Sequence, residues 1–193
     1  MQVIGLTGSI GTGKSAVATM LKDKGIPVHD ADATVHQLLE SDAATIQQLE
    51  KYFPEAIESQ QVNRKALRKI ALGDLKKMKI LEGILHPKVK TSQQEFLAKH
   101  RERQIPLVVL EIPLLYEKGY QRLCDYVIVV TCSAKAQQQR LYKRPNLTHS
   151  EIDAILSLQW SSEKKVSLAD YVINTTGPKS NTLEQLEKIM KGI

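Results

Sequence analysis

Cysteines, aromatic residues and long apolar runs are all scarce in this chain. Its two cysteines, Cys124 and Cys132, are too few for a disulfide framework and too far apart for a Cys-x-x-Cys site. That usage fits a reducing, cytoplasmic setting. Aromatic residues make up 5% of the 193 residues and nowhere interleave with basic ones, so the stacking platform that single-stranded bases need is missing. No nucleic-acid partner is expected. The longest apolar stretch, Ile105 to Leu115, is broken by Glu111 and falls short of the ~18 residues that suggest a membrane span, so no membrane partner is expected either. The opening Met-Gln-Val-Ile-Gly-Leu has no basic region ahead of a long apolar stretch and does not read as a secretory signal. Proline, glycine and serine never gather into a linker and no repeat is visible, so one domain, enlarged by insertions, is expected over residues 1–193.

The charge is present and unevenly placed. The formal net charge is +6. Between Arg64 and Lys90, nine basic residues face only Asp74 and Glu82, a local +7, and the rest of the chain sums to −1. An anionic small molecule is one reading of that excess, and a solvated helical face is the plain one.

Short apolar runs occur at Val3-Ile4-Gly5-Leu6, Pro27-Val28, Leu107 to Leu110, Tyr126 to Val130 and Tyr171-Val172-Ile173, each next to a helical pattern. Runs without alternation belong to parallel strands covered on both faces. The roughly 75 residues between the second and third strands exceed one crossover helix and read as an all-helical insertion. One stripe there is Ile46, Leu49 and Phe53; a longer one runs from Leu67 through Ile70, Ala71, Leu75, Met78 and Leu81 to Leu85. Helices are predicted over Ala134 to Lys143, from about Thr148 behind the capping box Thr148-His149-Ser150-Glu151, and over Thr182 to Lys191.

The chemistry enters at Gly8-Ser9-Ile10-Gly11-Thr12-Gly13-Lys14-Ser15, a full G-x-x-x-x-G-K-[ST] match between a strand and a helix. Glycines let the backbone curl until its N–H groups converge on phosphate oxygens, and the helix adds its positive end. Lys14 then reaches the β/γ-phosphates and Ser15 is placed to ligate Mg²⁺. A nucleoside triphosphate with magnesium follows. The Asp-x-x-Gly and Asn-Lys-x-Asp strings of GTPase switches do not occur, and the third strand ends in a lone Glu111 rather than a motor-type Asp-Glu pair. A small phosphotransferase fits best. A kinase for a nucleoside monophosphate or another small metabolite stays open on these residues, as does a nucleotide-dependent switch.

An acceptor hydroxyl needs a carboxylate to orient it or take its proton. Asp30-Ala31-Asp32 follows the second strand, at the carboxyl edge of the sheet that the phosphate loop shares. Asp30 reads equally as a helix N-cap; Asp32 is the candidate base, able to hold Mg²⁺ through water. Arg140 and Arg144, four apart on one predicted helix, share a face that would neutralise a transferring phosphoryl group. Arg64 and Arg68 have the same spacing and could clasp a phosphate. His86-Pro87 marks a helix start whose imidazole is either a ligand or a packing residue.

In order and spacing these residues resemble the dephospho-CoA kinases, a family of P-loop kinases. The similarity takes in 5–15, Asp30-Ala31-Asp32, Asn63 to Arg68, Leu85-His86-Pro87, Ile112 to Glu117, Arg140, Arg144, Gln159, Glu163-Lys164 and Ala169 to Ile173. The resemblance implies an α/β fold with a five-stranded parallel sheet flanked by helices. The core would be 1–31, 104–136 and 165–193, with a helical substrate lobe over about 32–103 and a helical lid over about 137–164. It implies transfer of the γ-phosphoryl group of ATP to the ribose 3′-hydroxyl of dephospho-CoA. Asp32 would be the base, and Lys14 and Arg140 would stabilise the phosphoryl group. Gly11, Thr12, Gly13, Lys14, Ser15, Ala16, Arg140 and Arg144 would hold ATP, and Ser15 and Asp32 would hold Mg²⁺. Thr7, Asp32, Arg64, His86 and Leu114 would hold the acceptor. The chain departs from the family pattern at His36, where Arg is usual, at Ala16, where Thr is commoner, at Glu111, where Asp is usual, and at Asn174-Thr175-Thr176-Gly177, which lacks the usual Asn.

Overall fold

The first apolar run forms strand β1 (Gln2–Thr7), and a computed structural model describes the chain over residues 1–145 and 147–193. Ile4 and Leu6 are fully buried because β1 is the middle strand of a five-stranded sheet. Its neighbours are β5 (Leu107–Glu111) and β6 (Tyr126–Thr131), both parallel to it, and β7 (Tyr171–Asn174) adds in parallel to β6. Short β2 (Val28–Asp30) forms the other edge next to β5, where Val109 N–H donates to the Pro27 carbonyl at 2.9 Å. The order is β2-β5-β1-β6-β7. Chain excursions to both sides of β1 make a topological switch at its carboxyl end, where ligands of such sheets sit.

Helix α1 (Lys14–Asp23) packs Val17, Ala18 and Leu21 onto this sheet, and α9 (Lys179–Gly192) adds Leu186. Fully burying a Leu or Ile contributes about 1.5–3 kcal/mol, so this layer anchors the strand ends that carry the loops. The α1 terminus stops in a Schellman arrangement: Gly25, at φ 77°, donates to the Lys22 carbonyl and Ile26 N–H to the Leu21 carbonyl. Gly25 is thus the helix stop.

The chain divides into two compact units, one of residues 1–29 and 100–193 and one of Asp30–Lys99. The second contains α2 (Ala31–Ser41), α3 (Ala43–Tyr52), α4 (Arg64–Gly73) and most of α5 (Leu75–Glu102). Its core gathers Leu39, Leu49, Phe53, Ala56, Leu67 and Leu85. Asp42 caps α3 by accepting from Thr45 N–H, and the Lys88 ammonium beside it holds its carboxyl below the usual carboxylate range.

This unit departs from the sequence expectation in three places. It is not all-helical: β3 (Ile57–Glu58) and β4 (Gln61–Val62) form a two-stranded antiparallel hairpin. Both turn residues, Ser59 and Gln60, take positive φ, as a two-residue primed turn requires. No Gly or Asn announces that turn. It is held by Asn63, whose N–H donates to the Ala56 carbonyl at 2.8 Å and whose amide donates to Glu58 at 2.7 Å. Second, the long apolar stripe breaks at Asp74, which ends α4, and Leu75 is 75% exposed. Third, His86-Pro87 is not a helix start but lies inside α5. Pro87 lacks the N–H that would reach the Gly83 carbonyl, so the helix runs through it with one hydrogen bond fewer.

Candidate functional site

The turn after β1 is shaped by contacts that only glycine permits. A Cβ on Gly8 would lie 2.4 Å from the Val130 carbonyl oxygen, and Gly11 and Gly13 take φ of 82° and 94°. Thr12, fully buried, closes the turn from within by donating its hydroxyl to the Ser9 carbonyl at 2.8 Å. Gly13 is the N-cap of α1 and brings no side chain, so the positive end of the helix stays available to an anion. Lys14 Nζ lies 2.5 Å from Glu111 Oε1 at the end of β5, with the two side chains 10% and 2% exposed. The Ser15 hydroxyl donates to the same oxygen at 3.4 Å. A hydroxyl beside a carboxylate is a hard-oxygen pair that suits Mg²⁺, an ion that takes few protein ligands and completes its shell with phosphate oxygens and water. No group of three or more His, Cys, Asp or Glu forms a metal cage among the described residues.

Arg140 reaches this loop from α6 (Ala134–Tyr142). Its Nη1 donates to Thr175 Oγ1 at 2.9 Å and to the Gly11 carbonyl at 3.4 Å, and its Nη2 donates to the Thr175 carbonyl at 2.6 Å. Thr175, at the position where the family pattern has Asn, in turn donates its hydroxyl to the Thr12 carbonyl at 2.5 Å. Arg144 does not share the helical face of Arg140. The helix ends at Tyr142 with Lys143 as C-cap, and Arg144, exposed, donates its N–H to the Leu141 carbonyl. Pro145 next in sequence explains the early stop, since the residue before a proline is biased away from helix.

Two glutamines grip the single residue Ile10. Gln159 Oε1 accepts from its N–H at 3.0 Å and Gln137 Nε2 donates to its carbonyl at 2.7 Å. Gln159 belongs to the pattern read from the sequence, whereas Gln137, on a polar helix face, gives no sequence signal. The stretch after β5 lies beside the end of β1: Ile112 N–H donates to the Leu6 carbonyl, and the buried Thr7 hydroxyl donates to the Pro113 carbonyl at 3.1 Å. Leu114 follows, half-buried. Tyr116 donates its hydroxyl to the Leu168 carbonyl at 2.8 Å, and burial pushes that phenol up to about 12, so it remains a donor at any physiological pH. Between α6 and β7 the chain forms α7 (His149–Ser157), which opens with the Thr148–Glu151 capping box, and the five-residue α8 (Ser162–Val166), which no sequence pattern announced.

The other predicted residues lie in the second unit. Asp30 accepts from Ala33 N–H at 2.9 Å, so it is the N-cap of α2. Asp32 is exposed in the first turn of the same helix. Arg64 opens α4 behind the N-cap Asn63, and its Nη2 meets His36 Nε2 on α2, so the residue at the Arg position of the family pattern is an immediate neighbour of the predicted acceptor arginine. His86 is half-buried in α5. No helix among the described residues is long and apolar enough to cross a membrane.

Comparison with known proteins gives one answer. The model of the dephospho-CoA kinase family matches residues 2–180. The dephospho-CoA kinase of Mesorhizobium japonicum is 44% identical over 91% of this chain and 88% of its own length. That of Bartonella quintana is 39% identical over 100% and 98%. The structure of the dephospho-CoA kinase from Campylobacter jejuni superposes with a TM-score of 0.72 at 26% identity, covering 99% of this chain and 96% of that one. With the family model and its relatives spanning nearly every residue, this chain belongs to the dephospho-CoA kinase family.

Proposed function

We propose that this protein transfers the γ-phosphoryl group of ATP to the ribose 3′-hydroxyl of dephospho-CoA, giving CoA and ADP, the last step of CoA synthesis. The observation that carries the reading is the phosphate loop with Lys14 and Arg140 brought onto one strand end, in a chain whose relatives along its whole length are dephospho-CoA kinases.

In the reaction the acceptor oxygen attacks the γ-phosphorus, the bond to the bridging β-phosphate oxygen breaks, and ADP departs. Charge spreads over the transferring oxygens, so catalysis is chiefly positioning and electrostatics. Gly11, Thr12, Gly13 and Ala16 present backbone to the ATP phosphates. Lys14 and Arg140 neutralise the phosphoryl group, and Arg144 adds charge at the rim. Asp32 accepts the proton of the 3′-hydroxyl. Ser15 and Asp32 would hold Mg²⁺, which would supply Lewis-acid neutralisation of the phosphoryl charge. Thr7, Arg64, His86 and Leu114 bind the acceptor, whose pyrophosphate suits the +7 charge of residues 64–90. The unit Asp30–Lys99 serves as the substrate lobe and the stretch 137–164 as the lid. A cytoplasmic setting supplies Mg-ATP and keeps the free thiols of Cys124 and Cys132 reduced.

The test is ADP release from Mg-ATP by purified protein, with dephospho-CoA, AMP, CMP or no acceptor in parallel. Stimulation by dephospho-CoA alone is expected. Equal stimulation by a monophosphate would overturn the acceptor assignment, and no stimulation by any acceptor would overturn the kinase reading.

A further inference from the structure

Lys165 is a cation with 0% of its side chain exposed, in a short helix outside the phosphate loop. Burying an ammonium costs several kcal/mol unless partners replace its water. Among the described residues its partners are two, and both belong to the stretch that follows β5. Nζ lies 3.0 Å from Glu117 Oε1 and donates to the Pro113 carbonyl at 3.2 Å. That carbonyl also accepts the Thr7 hydroxyl, so two donors fix the peptide immediately before Leu114. Glu117, 6% exposed on its side chain, takes in addition the Trp160 N–H at 2.7 Å. The Trp160 ring lies parallel to Tyr116 at 6.3 Å and carries Lys164 Nζ 3.5 Å from its centroid. One residue earlier, Gln159 accepts the Ile10 N–H of the phosphate loop.

Residues 159–165 therefore hold the donor loop at one end and the stretch 113–117 at the other. The helix cap in between stiffens the link, with Ser161 Oγ accepting from Lys164 N–H at 3.2 Å. A buried ion pair of this kind is a weak source of stability, because apolar replacements of the whole pair are often neutral or better. What it supplies is fixed geometry.

We infer that Lys165 is a positioning residue for the acceptor: it sets the Pro113–Leu114 backbone against which dephospho-CoA binds, while Gln159 at the other end of the same brace sets the phosphate loop for ATP. The inference deepens the proposed function and rests on it.

Steady-state kinetics of Lys165→Met and Gln159→Leu test it, with KM measured separately for each substrate. Lys165→Met is expected to raise KM for dephospho-CoA about tenfold and leave KM for ATP within about twofold. Gln159→Leu is expected to do the reverse. The double variant Glu117→Gln/Lys165→Met removes the uncompensated carboxylate, so it recovers Tm while the raised acceptor KM persists. This variant also carries the comparison if Lys165→Met alone does not fold. Both KM values moving together, neither moving, or the double variant restoring KM along with Tm would overturn the positioning role while the wild-type protein still phosphorylates dephospho-CoA. A wild-type protein silent toward dephospho-CoA would instead overturn the acceptor reading, and the assignment of Lys165 with it.

Discussion

Asp32→Asn is expected to lower kcat by about 10²–10⁴-fold, the usual worth of a positioned general base, and to leave KM for ATP within about twofold. Asn has the same shape and keeps one carbonyl oxygen, but it cannot accept the proton that the 3′-hydroxyl must lose. Asp32 is exposed in the first turn of α2, where exchanging a carboxylate for an amide forfeits about 0.3–1 kcal/mol of interaction with the helix end. The cap itself is Asp30, which the variant leaves in place. Thermal melting alongside the kinetics separates the two effects. An undiminished kcat would remove Asp32 from the proton-transfer role.

Lys14→Met is expected to act on both activity and stability. Losing a preorganised cation at the transferring phosphoryl group lowers kcat by about 10²–10³-fold. The same substitution strands Glu111, a carboxylate with 2% of its side chain exposed, whose remaining hydrogen bond in this site is the long one from Ser15. Breaking one side of a buried pair costs about 3–5 kcal/mol. For a chain of this length that lowers Tm by about 10 °C. Lys14→Met/Glu111→Gln should recover most of the melting temperature and none of the turnover. A single variant that melts like wild type would mean that Glu111 is satisfied without Lys14.

The sheet and the phosphate loop were legible in the sequence because their signals are local. A strand covered on both faces is a bare apolar run, the G-x-x-x-x-G-K-[ST] string needs only its own backbone, and the Thr148 box pairs residues three apart. Asp30 was ambiguous between cap and function because both roles use the same residue at the same place. Only the hydrogen bond to Ala33 decides it. Other features depend on partners distant in the chain. Ser59 and Gln60 adopt positive φ although neither residue type favours it, because Asn63 fixes the hairpin ends. Pro87 is accommodated within α5 rather than opening a helix, and the helical period of Arg140 and Arg144 is cut by the chain leaving α6 at Lys143. Nothing in the sequence distinguishes Lys165 from the other nineteen lysines. Its burial is set by Pro113 and Glu117, about fifty residues away, and no spacing rule reaches that far.

The central claim is the identity of the bond made. Incubating the protein with Mg-ATP and dephospho-CoA and following the product by ³¹P nuclear magnetic resonance addresses it most directly. A new phosphomonoester on the ribose 3′-oxygen, matching authentic CoA and formed in step with ADP, is the predicted result. A phosphate on any other oxygen, or ADP formed with dephospho-CoA unchanged, would contradict it.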